Sequence, residues 1–506
     1  MDLVEHFPVL IVGLSMFLAY TMLLAGYLNR RLPFFMSLAM NSFFLILSLF
    51  ILNHVLATGP IRYWQGGWRP PWGIEYVVDA MNAYLLVIVI SMVILGLIYS
   101  RGNVRHEIEE RKHVTFYVLV QLMAAGMYGI TVTGDLFNMF IWLEIASLTA
   151  YALIAVAGGR ALRSAYNYVI MGSIGACLYI FGVCWIYSVT GTLNFADMRL
   201  LLPLVYDSRA VQMGFAMIVV GVMIKAYIFP LHLWQPDVYT YAPSTISSMM
   251  ASVHVKVMFY MLLRMFYSVF TLDFIRHYIG LDLLICWVAA IAILAGSIWA
   301  IKQRNLKRML AYSSVSQMGY ILLGLGLSPL SPWGLVGVAA HILNHAIGKG
   351  CLFMCAGAIS QQEGLRDIRD FEGLGKKMPH VCAAFTIAAL SMIGIPLTAG
   401  FASKLFLIVA SLDAAQYPFV AVLLLSGLLN LVYFWRVIDQ MYFVKHKGTE
   451  NAAEVRETGK SLPLSMVAPI LILASLCIIM GIIWLTNIPM PLINHILSNL
   501  RMGVTL

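Results

Sequence analysis

Five basic side chains lie inside otherwise apolar stretches of the sequence, where a charge needs a partner or a water-filled cavity. They are Lys225, Lys256, Lys349, Lys404 and Arg436. A charged side chain at bilayer depth costs about 3 kcal/mol on insertion scales and roughly 10 kcal/mol or more in simulations. Ionisable residues at that depth commonly mark ion or proton paths. The pattern therefore predicts a buried series of groups that bind and release protons.

Glu144 is the natural partner of Lys225. It lies in the apolar stretch GDLFNMFIWLEIASLTAYALIA at 134–155. A lone carboxylate at that depth would become neutral through desolvation unless a cation lay near it. Each group would then tune the other, so that moving a proton onto or off the lysine would loosen the pair. The alternative is a static ion pair that fixes helix packing.

Two apolar stretches carry helix-breaking residues beside a lysine. In GVMIKAYIFPLHLW (221–234), Pro230 follows the lysine and removes a backbone donor. In SMIGIPLTAGFASKLFLI (391–408), Pro396 and Gly400 precede the lysine. Two broken spans in corresponding positions fit an inverted repeat, and such breaks commonly line transport sites.

HILNHAIGKG places His341, His345 and Lys349 at successive i, i+4 steps on one helix face. Imidazole titrates near neutral pH, so a proton-carrying stripe is expected. The alternatives are a hydrogen-bonded packing stripe and a zinc site, which would lack further ligands. In SVHVKVMFY, His254 faces a different side of its helix from Lys256, so that a packing histidine is as plausible as a relay.

The composition identifies a polytopic membrane protein. Of 506 residues, 61% are hydrophobic and 11% are charged, with a mean hydropathy of +0.86. A soluble fold would lack the polar surface that it needs. No signal peptide is expected, because Asp2 and Glu5 stand where a basic segment would be. The seven cysteines lie in or beside apolar stretches, which argues against a disulfide framework or a metal cluster.

About fourteen apolar stretches are long enough to span a bilayer as helices, so an all-α polytopic fold is expected. Most basic residues outside them lie in one set of alternate loops, which predicts that this set is cytoplasmic and that both termini are outside. Nucleic acid is therefore not an expected partner of this basic chain. The predicted division is 1–113 for three N-terminal helices, 114–270 for spans 4 to 8, 271–443 for spans 9 to 13, and 444–506 for a cytoplasmic loop, span 14 and a short tail.

Cofactor motifs are missing from the sequence. It contains no GxGxxG or GxxxxGK loop, no CxxC pair and no plausible nucleophile triad. We expect no cofactor and no metal in this chain, so that any redox chemistry would come from other chains.

Six motifs, in order within residues 76–440, resemble the antiporter-like proton-translocating subunits shared by respiratory complex I, the Mrp cation/proton antiporters and membrane-bound nickel–iron hydrogenases. They are GDLFNMFIWLE, KAYIFPLHLWQPD, APSTISSMMASVHVK, LKRMLAYSSVSQMGY, HILNHAIGKGCLF and GIPLTAGFASK. The resemblance implies fourteen helices, two inverted five-helix repeats with helices 7 and 12 broken, and a chain of titratable groups in the membrane plane. That chain would comprise Glu144, Lys225, Lys256, His341, His345, Lys349 and Lys404.

The sequence departs from the family pattern near the first break. Gln235 stands where relatives usually have leucine, and His254 is an extra histidine. His232 and Asp237, which belong to the same motif as Gln235, are accessory candidates together with His254.

The leading hypothesis is a subunit that conducts protons or exchanges them against sodium. It would work with other membrane subunits, some of them homologous, in the plasma (inner) membrane of a prokaryote. GDLFN and the lysine at 404 are most similar to the D-type subunits of Mrp antiporters and to their hydrogenase relatives, and the length is similar to that of a middle-sized subunit. Rival hypotheses are a stand-alone secondary transporter of an organic solute and a structural anchor with an inactive channel.

Overall fold

The computed structural model describes residues 3–444, 462–486 and 488–501, and it is 83% helical. Twelve helical segments in these ranges are long and apolar enough to cross a membrane. This confirms the predicted all-α polytopic membrane protein. Most of the predicted cytoplasmic loop, at 445–461, lies outside the described residues.

The described ranges contain 21 α-helices and two short β-strands. The helices are α1 (Phe7–Leu28), α2 (Leu32–Thr58), α3 (Ala80–Glu107), α4 (His113–Val132), α5 (Leu136–Ala155), α6 (Arg160–Thr190), α7 (Phe195–Leu201), α8 (Arg209–Lys225), α9 (Gln235–Tyr241), α10 (Ser244–Met249), α11 (Val255–Arg264), α12 (Thr271–Asp273), α13 (Leu281–Lys302), α14 (Leu306–Leu327), α15 (Pro332–Glu363), α16 (Leu374–Lys377), α17 (Pro379–Ile393), α18 (Ala399–Asp413), α19 (Tyr417–Tyr442), α20 (Leu464–Trp484) and α21 (Met490–Arg501). The strands are β1 (Ile61–Trp64) and β2 (Glu75–Val78), which pair antiparallel.

Two apolar segments are each divided into shorter helices by an irregular stretch. Residues 226–234 separate α8 from α9, and residues 394–398 separate α17 from α18. Pro230 and Pro396 lie within these stretches, where no helical N–H is required of them. Both predicted helix breaks are therefore present, whereas the count of fourteen spans and the inverted repeat remain predictions.

The backbone of both breaks enters the left-handed region. The φ angle is 43° at Tyr227, 94° at Gly394 and 71° at Leu397. Residues with a Cβ rarely adopt such angles, so the packing around Tyr227 and Leu397 has to hold them there. The breaks are thus built into the fold and are not frayed helix ends.

Gly400 is not part of the second break, contrary to the sequence prediction. It lies in the first turn of α18, where it is buried against the end of α17. A Cβ at this position would come within 1.6 Å of the carbonyl oxygen of Ser391. Glycine is therefore required by the close approach of two helices and not by a break.

The most buried helices form the centre of the bundle. The segment from α10 to α11, α14 and α15 expose few side chains, whereas α1, α2 and α19 present many apolar side chains outward. A helix that is apolar and buried all round packs against protein and not lipid. The histidines and lysines of these central helices are therefore surrounded by protein.

The segment that carries Lys256 is not a uniform α-helix. The π-helical turn Met250–His254 separates α10 from α11, and a second one, Met265–Val269, follows α11. Single π-turns inside helices are frequent at functional sites. The sequence predicts one continuous span at 243–270, because these turns leave the apolar pattern unchanged.

The sequence pattern does not predict two further elements. The hairpin of β1 and β2 lies in the loop between α2 and α3, and its strands of four residues are too short for a clear alternation of apolar and polar residues. The helix α21 occupies the predicted short tail and buries Ile493, Ile496 and Leu500. This helix therefore packs on the bundle.

Candidate functional site

Lys225 is the last residue of α8, and its ammonium group binds one face of α5. Nζ donates hydrogen bonds to Glu144 Oε1 at 2.9 Å, Ser147 Oγ at 3.0 Å and Tyr151 Oη at 3.2 Å. These three partners share a face of α5 because they are spaced by about one helical turn. The predicted pair of Glu144 and Lys225 is present, and two hydroxyl groups complete it.

Close helix packing positions Lys225. A Cβ at Gly221 would come within 2.5 Å of the carbonyl oxygen of Gly175, so α8 and α6 approach along their backbones. At the end of α8, the carbonyl oxygen of Ile224 accepts a hydrogen bond of 3.1 Å from Trp234 Nε1. This carbonyl also accepts from Tyr227 N at 3.2 Å, so two residues of the break hold the last turn of α8.

The two members of this ion pair differ in exposure. The side chain of Lys225 is 1% exposed, whereas that of Glu144 is 26% exposed. A carboxylate that faces lipid without cover is costly. Glu144 is therefore the accessible member of this ion pair.

His254 lies between Lys225 and the central helices. It is buried, faces the backbone of Ala146 on α5, and interacts electrostatically with Lys225. The sequence alone leaves open whether His254 is a relay or packs passively. The structure places it next to the first ion pair, on the helical segment that also carries Lys256.

Lys256 and Lys349 are fully buried and interact electrostatically with each other. Lys256 Nζ donates to the carbonyl oxygen of Ala251, which belongs to the preceding π-turn. Lys349 Nζ donates to Leu310 O at 2.9 Å and to Ser313 Oγ at 2.8 Å on α14. Both lysines are thus held by carbonyl and hydroxyl oxygens, which leaves their charges uncompensated by these contacts.

The histidine stripe lies in the middle of α15. The rings of His341 and His345 are nearly parallel, with centroids 6.0 Å apart. His341 Nδ1 lies 3.0 Å from Ser403 Oγ, and neither ring nitrogen of His345 contacts a polar group of the described chain. Both histidines also interact electrostatically with Lys256. The stripe therefore stands between the central lysine and α18.

Lys404 belongs to α18, and its ammonium group binds the C-terminal end of α17. Its Nζ donates to Met392 O and Ile393 O, both at 2.8 Å, and lies 4.9 Å from the centre of the Tyr320 ring. The break leaves these helix-terminal carbonyls free, and the helix dipole favours a cation there. An aromatic face adds further attraction. The second break therefore creates the binding site for Lys404.

The structure places two candidate side chains apart from this series. Asp237 forms a half-exposed ion pair with Arg308 at 3.3 Å. Arg436, which the sequence groups with the buried lysines, is only partly buried and donates to Ile301 O and Gln303 O at the end of α13. Neither contact joins the buried series.

His232 is buried between two aromatic rings. Its ring centroid lies 5.4 Å from that of Phe229 and 5.3 Å from that of Trp299. Among the described residues, the backbone of Pro230 is the polar group that its ring contacts, and neither nitrogen forms a hydrogen bond of ordinary geometry. His232 follows Pro230 in the first break, next to but not within the series.

Arg264 belongs to a buried ion pair that the sequence pattern does not predict. It lies in α11, where its side chain is 6% exposed and Nη1 lies 2.6 Å from Asp79 Oδ2. Its Nε also donates to Tyr260 Oη at 2.5 Å. Asp79 directly precedes α3, so this buried pair ties α3 to α11.

Among the described residues, no group of three or more His, Cys, Asp or Glu side chains has a geometry that could hold a metal ion. Cys351 and Cys355 each point a thiol toward backbone carbonyl oxygens, of Ala384 at 3.7 Å and Val381 at 3.6 Å. They act as small packing residues.

Residues 133–430 match the family described as "NADH:quinone oxidoreductase/Mrp antiporter, TM", and this match covers more than half of the chain. The chain belongs to this family. The family resemblance inferred from the six motifs is thereby confirmed.

Relatives of this family member carry both respiratory and antiporter names. The NADH-quinone oxidoreductase subunit N of Desulforudis audaxviator (strain MP104C) is 42% identical over 488 residues, which cover 94% of this chain and 96% of the relative. The D subunit of the Na(+)/H(+) antiporter of Alkalihalophilus pseudofirmus (strain ATCC BAA-2126 / JCM 17055 / OF4) is 32% identical over 440 residues, 86% of each. A chain of the Mrp complex from Dietzia sp. DQ12-45-1b superimposes with a TM-score of 0.88 at 25% identity, covering 100% of this chain and 99% of that one. The relatives thus include a respiratory N subunit at higher identity than the antiporter D subunit, so the similarity extends beyond the D-type subunits.

Proposed function

We propose that this family member translocates protons as one subunit of a multisubunit membrane complex. The observation that carries the proposal is the buried series of titratable groups, which leads from the partly exposed Glu144 to Lys404 at the second break. Its members are Glu144, Lys225, Lys256, His341, His345, Lys349 and Lys404. His254 is the accessory member next to Lys225.

The spacing of charges suits stepwise transfer. Lys225 has a carboxylate partner, whereas Lys256 and Lys349 interact with each other as like charges. Like charges in a poorly hydrated interior disfavour simultaneous protonation, so that a proton arriving on one group promotes release from its neighbour. The histidines between Lys256 and Lys404 have ring nitrogens that can bind or release a proton.

The two helix breaks serve in this proposal as the ends of two half-channels. Lys225 closes α8 at the first break, and Lys404 binds the carbonyls at the second. Irregular backbone at membrane depth is tolerated where it is buried in protein or lines a water-filled cavity. Water entering at each break would exchange protons with its lysine.

Partner subunits supply the driving reaction in this proposal. The exposed part of Glu144 would be costly against lipid, and a neighbouring membrane subunit would cover it. The relatives named above are subunits of respiratory or antiporter assemblies. We further propose that this chain holds no cofactor, that it exchanges protons alone or against sodium, and that it lies in a prokaryotic inner membrane with both termini outside.

The test compares Lys404→Ala with Lys376→Ala, whose side chain is exposed, in the purified complex reconstituted into liposomes. We expect Lys404→Ala to lower proton translocation at least tenfold and Lys376→Ala to leave it unchanged. Undiminished translocation in Lys404→Ala would favour the inactive anchor. Transport of an organic solute by the isolated, monomeric chain would favour the secondary transporter.

A further inference from the structure

A second connection joins Lys349 to Lys404 and bypasses the histidines. Lys349 Nζ donates to Ser313 Oγ at 2.8 Å, Ser313 Oγ lies 2.8 Å from Tyr433 Oη, and Tyr433 Oη donates to Asn430 Oδ1 at 2.9 Å. All these side chains are fully buried. Ser313 belongs to α14, and Tyr433 and Asn430 belong to α19.

The amide of Asn430 completes the connection to Lys404, and it is hydrogen-bonded in either of two orientations. In one orientation, Oδ1 accepts from Tyr433 and Nδ2 donates to Met392 O at 3.4 Å. After a half-turn of the amide, Oδ1 accepts from Lys404 Nζ at 3.1 Å and Nδ2 donates to Tyr433 Oη at 2.9 Å. The half-turn therefore decides whether Nδ2 or Oδ1 of Asn430 faces Lys404.

The protonation of Lys404 selects between these orientations. A lysine ammonium group has three donors and no acceptor, so it requires Asn430 Oδ1. A neutral amine has one lone pair and can accept from Nδ2. The orientation of the amide therefore follows the charge of Lys404.

The hydroxyl groups of Tyr433 and Ser313 make the hydrogen bond at Lys349 depend on the orientation of the Asn430 amide. When Asn430 turns Oδ1 to Tyr433, all hydrogen bonds run in one direction. A charged Lys349 donates to Ser313, Ser313 donates to Tyr433, and Tyr433 donates to Asn430. When Asn430 turns Nδ2 to Tyr433, the tyrosine donates to Ser313 and Ser313 donates to a neutral Lys349. The contact between Ser313 and Tyr433 permits both directions, since either oxygen can donate.

The whole chain is satisfied only when at most one of the two lysines is charged. With both lysines charged, donors meet from both ends and one hydrogen of the chain has no acceptor. With both neutral, a remaining N–H of Lys349 still donates to Ser313, so every link keeps its hydrogen bond. Unsatisfied buried polar groups cost about 1–3 kcal/mol, so the chain disfavours the state in which both lysines are charged.

We propose that Ser313, Tyr433 and Asn430 are positioning residues that couple the protonation states of Lys349 and Lys404. The hydroxyl groups rotate and the amide turns, so that no covalent bond is broken and no proton passes through the amide. This inference rests on the proposed function, because it assumes that both lysines change protonation during turnover.

Other titratable groups face Lys404 from the elements packed on α18. His341 faces it from α15 and Tyr320 from α14. From α20, Cys477 lies beside Ser391 at the end of α17. His341 and Tyr320 act on Lys404 directly. Tyr320 also reaches Asn430, through the hydroxyl groups of Ser426 and Ser297, and therefore joins the chain on the Lys404 side of Tyr433.

Around Lys349 the facing groups are Lys256 from α11 and His345 from its own helix α15. The α14 and α19 side chains that face it are Ser313 and, behind it, Tyr433. Removal of the Tyr433 hydroxyl therefore interrupts the chain and leaves these charges in place.

The test measures proton translocation against pH for the purified complex in liposomes, with the pH on both sides varied together. Tyr433→Phe removes the central link and keeps the ring. Asn430→Asp replaces the turning amide by a group that only accepts and that holds Lys404 charged. Ser411→Ala is the matched control, because the buried hydroxyl of this α18 residue donates to Leu407 O of its own helix at 2.9 Å.

We expect Tyr433→Phe to lower the rate about tenfold, which corresponds to the roughly 1–1.5 kcal/mol of one buried hydrogen bond between neutral groups. Asn430→Asp should move the pH of half-maximal translocation upward by about one unit or more, since an adjacent carboxylate favours the charged lysine. Asn430→Leu should lower the rate without this shift. A purely structural role of Asn430 predicts equal losses in both variants and no pH shift.

The inference is overturned if Tyr433→Phe and Asn430→Asp assemble normally and keep the wild-type rate and pH profile while Lys404→Ala abolishes translocation. That outcome leaves the proposed function intact. If Lys404→Ala itself translocates protons normally, the proposed function fails instead. Assembly is checked by the yield of intact complex, and Tyr433→Phe is the more conservative variant should Asn430→Asp fail to assemble.

Discussion

Lys225 Nζ and Glu144 Oε1 lie 2.9 Å apart, with the lysine buried and the carboxylate partly exposed at the surface of the chain. The pair joins α8 at its break to the uninterrupted helix α5. A proton or a neighbouring subunit that reaches Glu144 therefore acts directly on the affinity of Lys225 for its proton. Because of this difference in exposure, we expect proton binding by the series to be controlled from outside the chain at Glu144.

Glu144→Gln should lower proton translocation about tenfold or more. The substitution keeps the shape of the side chain but removes the charge that stabilises the Lys225 ammonium, and leaves a buried cation without its counter-ion. The rate and its pH dependence would be measured in liposomes that contain the complex.

Asp237→Asn is the control for Glu144→Gln. Its ion pair with Arg308 is half-exposed, and such pairs contribute about 0–1 kcal/mol. We expect a wild-type rate. If Glu144→Gln also kept the wild-type rate and pH profile, Lys225 would not depend on the carboxylate.

Gly400→Ala should destabilise the chain by about 1–3 kcal/mol or more, because the added Cβ overlaps the backbone oxygen of Ser391 and one helix must shift. Gly427→Ala is the matched control, since a Cβ there meets nothing within 4 Å. The measurement is the thermal unfolding midpoint of the purified complex. Equal midpoints for the two variants would show that α17 and α18 do not pack as described.

Asp79→Asn should lower stability by roughly 3–5 kcal/mol, because it leaves the Arg264 guanidinium buried and unpaired. The double variant Asp79→Asn, Arg264→Met should recover part of this loss, since no buried charge is left over. The free energy of unfolding would be measured by denaturation of complexes that carry Asp79→Asn, Arg264→Met or both substitutions. Strict additivity of the two single effects would contradict the ion pair.

The sequence is sufficient to predict the ionisable members of the site, because a charge in an apolar stretch is rare and needs a partner. The pairing of Glu144 with Lys225 and the two helix breaks follow from that reasoning. The hydroxyl partners could not be found in the same way. Serine and tyrosine are common in membrane helices, and only the contacts of Ser313 and Tyr433 near Lys349 indicate a role for them in the site.

Other differences have identifiable physical causes. Arg264 stands near the end of its apolar stretch, and nothing in the sequence indicates that Asp79 lies beside it. Gly400 follows a proline closely enough to be grouped with the break, although its role depends on a contact with Ser391 in another helix. Hydrophobic periodicity carries no information on such contacts between elements.

The most direct test of proton translocation by this chain is proton uptake by liposomes that contain the purified complex with Lys256→Ala. Lys256 is fully buried at the centre of the series and binds only a backbone carbonyl in the described structure, so its removal interrupts the path and leaves the outer ion pair intact. We predict less than about one tenth of the wild-type rate, with normal assembly, because the remaining groups would have to bridge the gap through water. A wild-type rate in this variant would show that protons do not pass along the buried series.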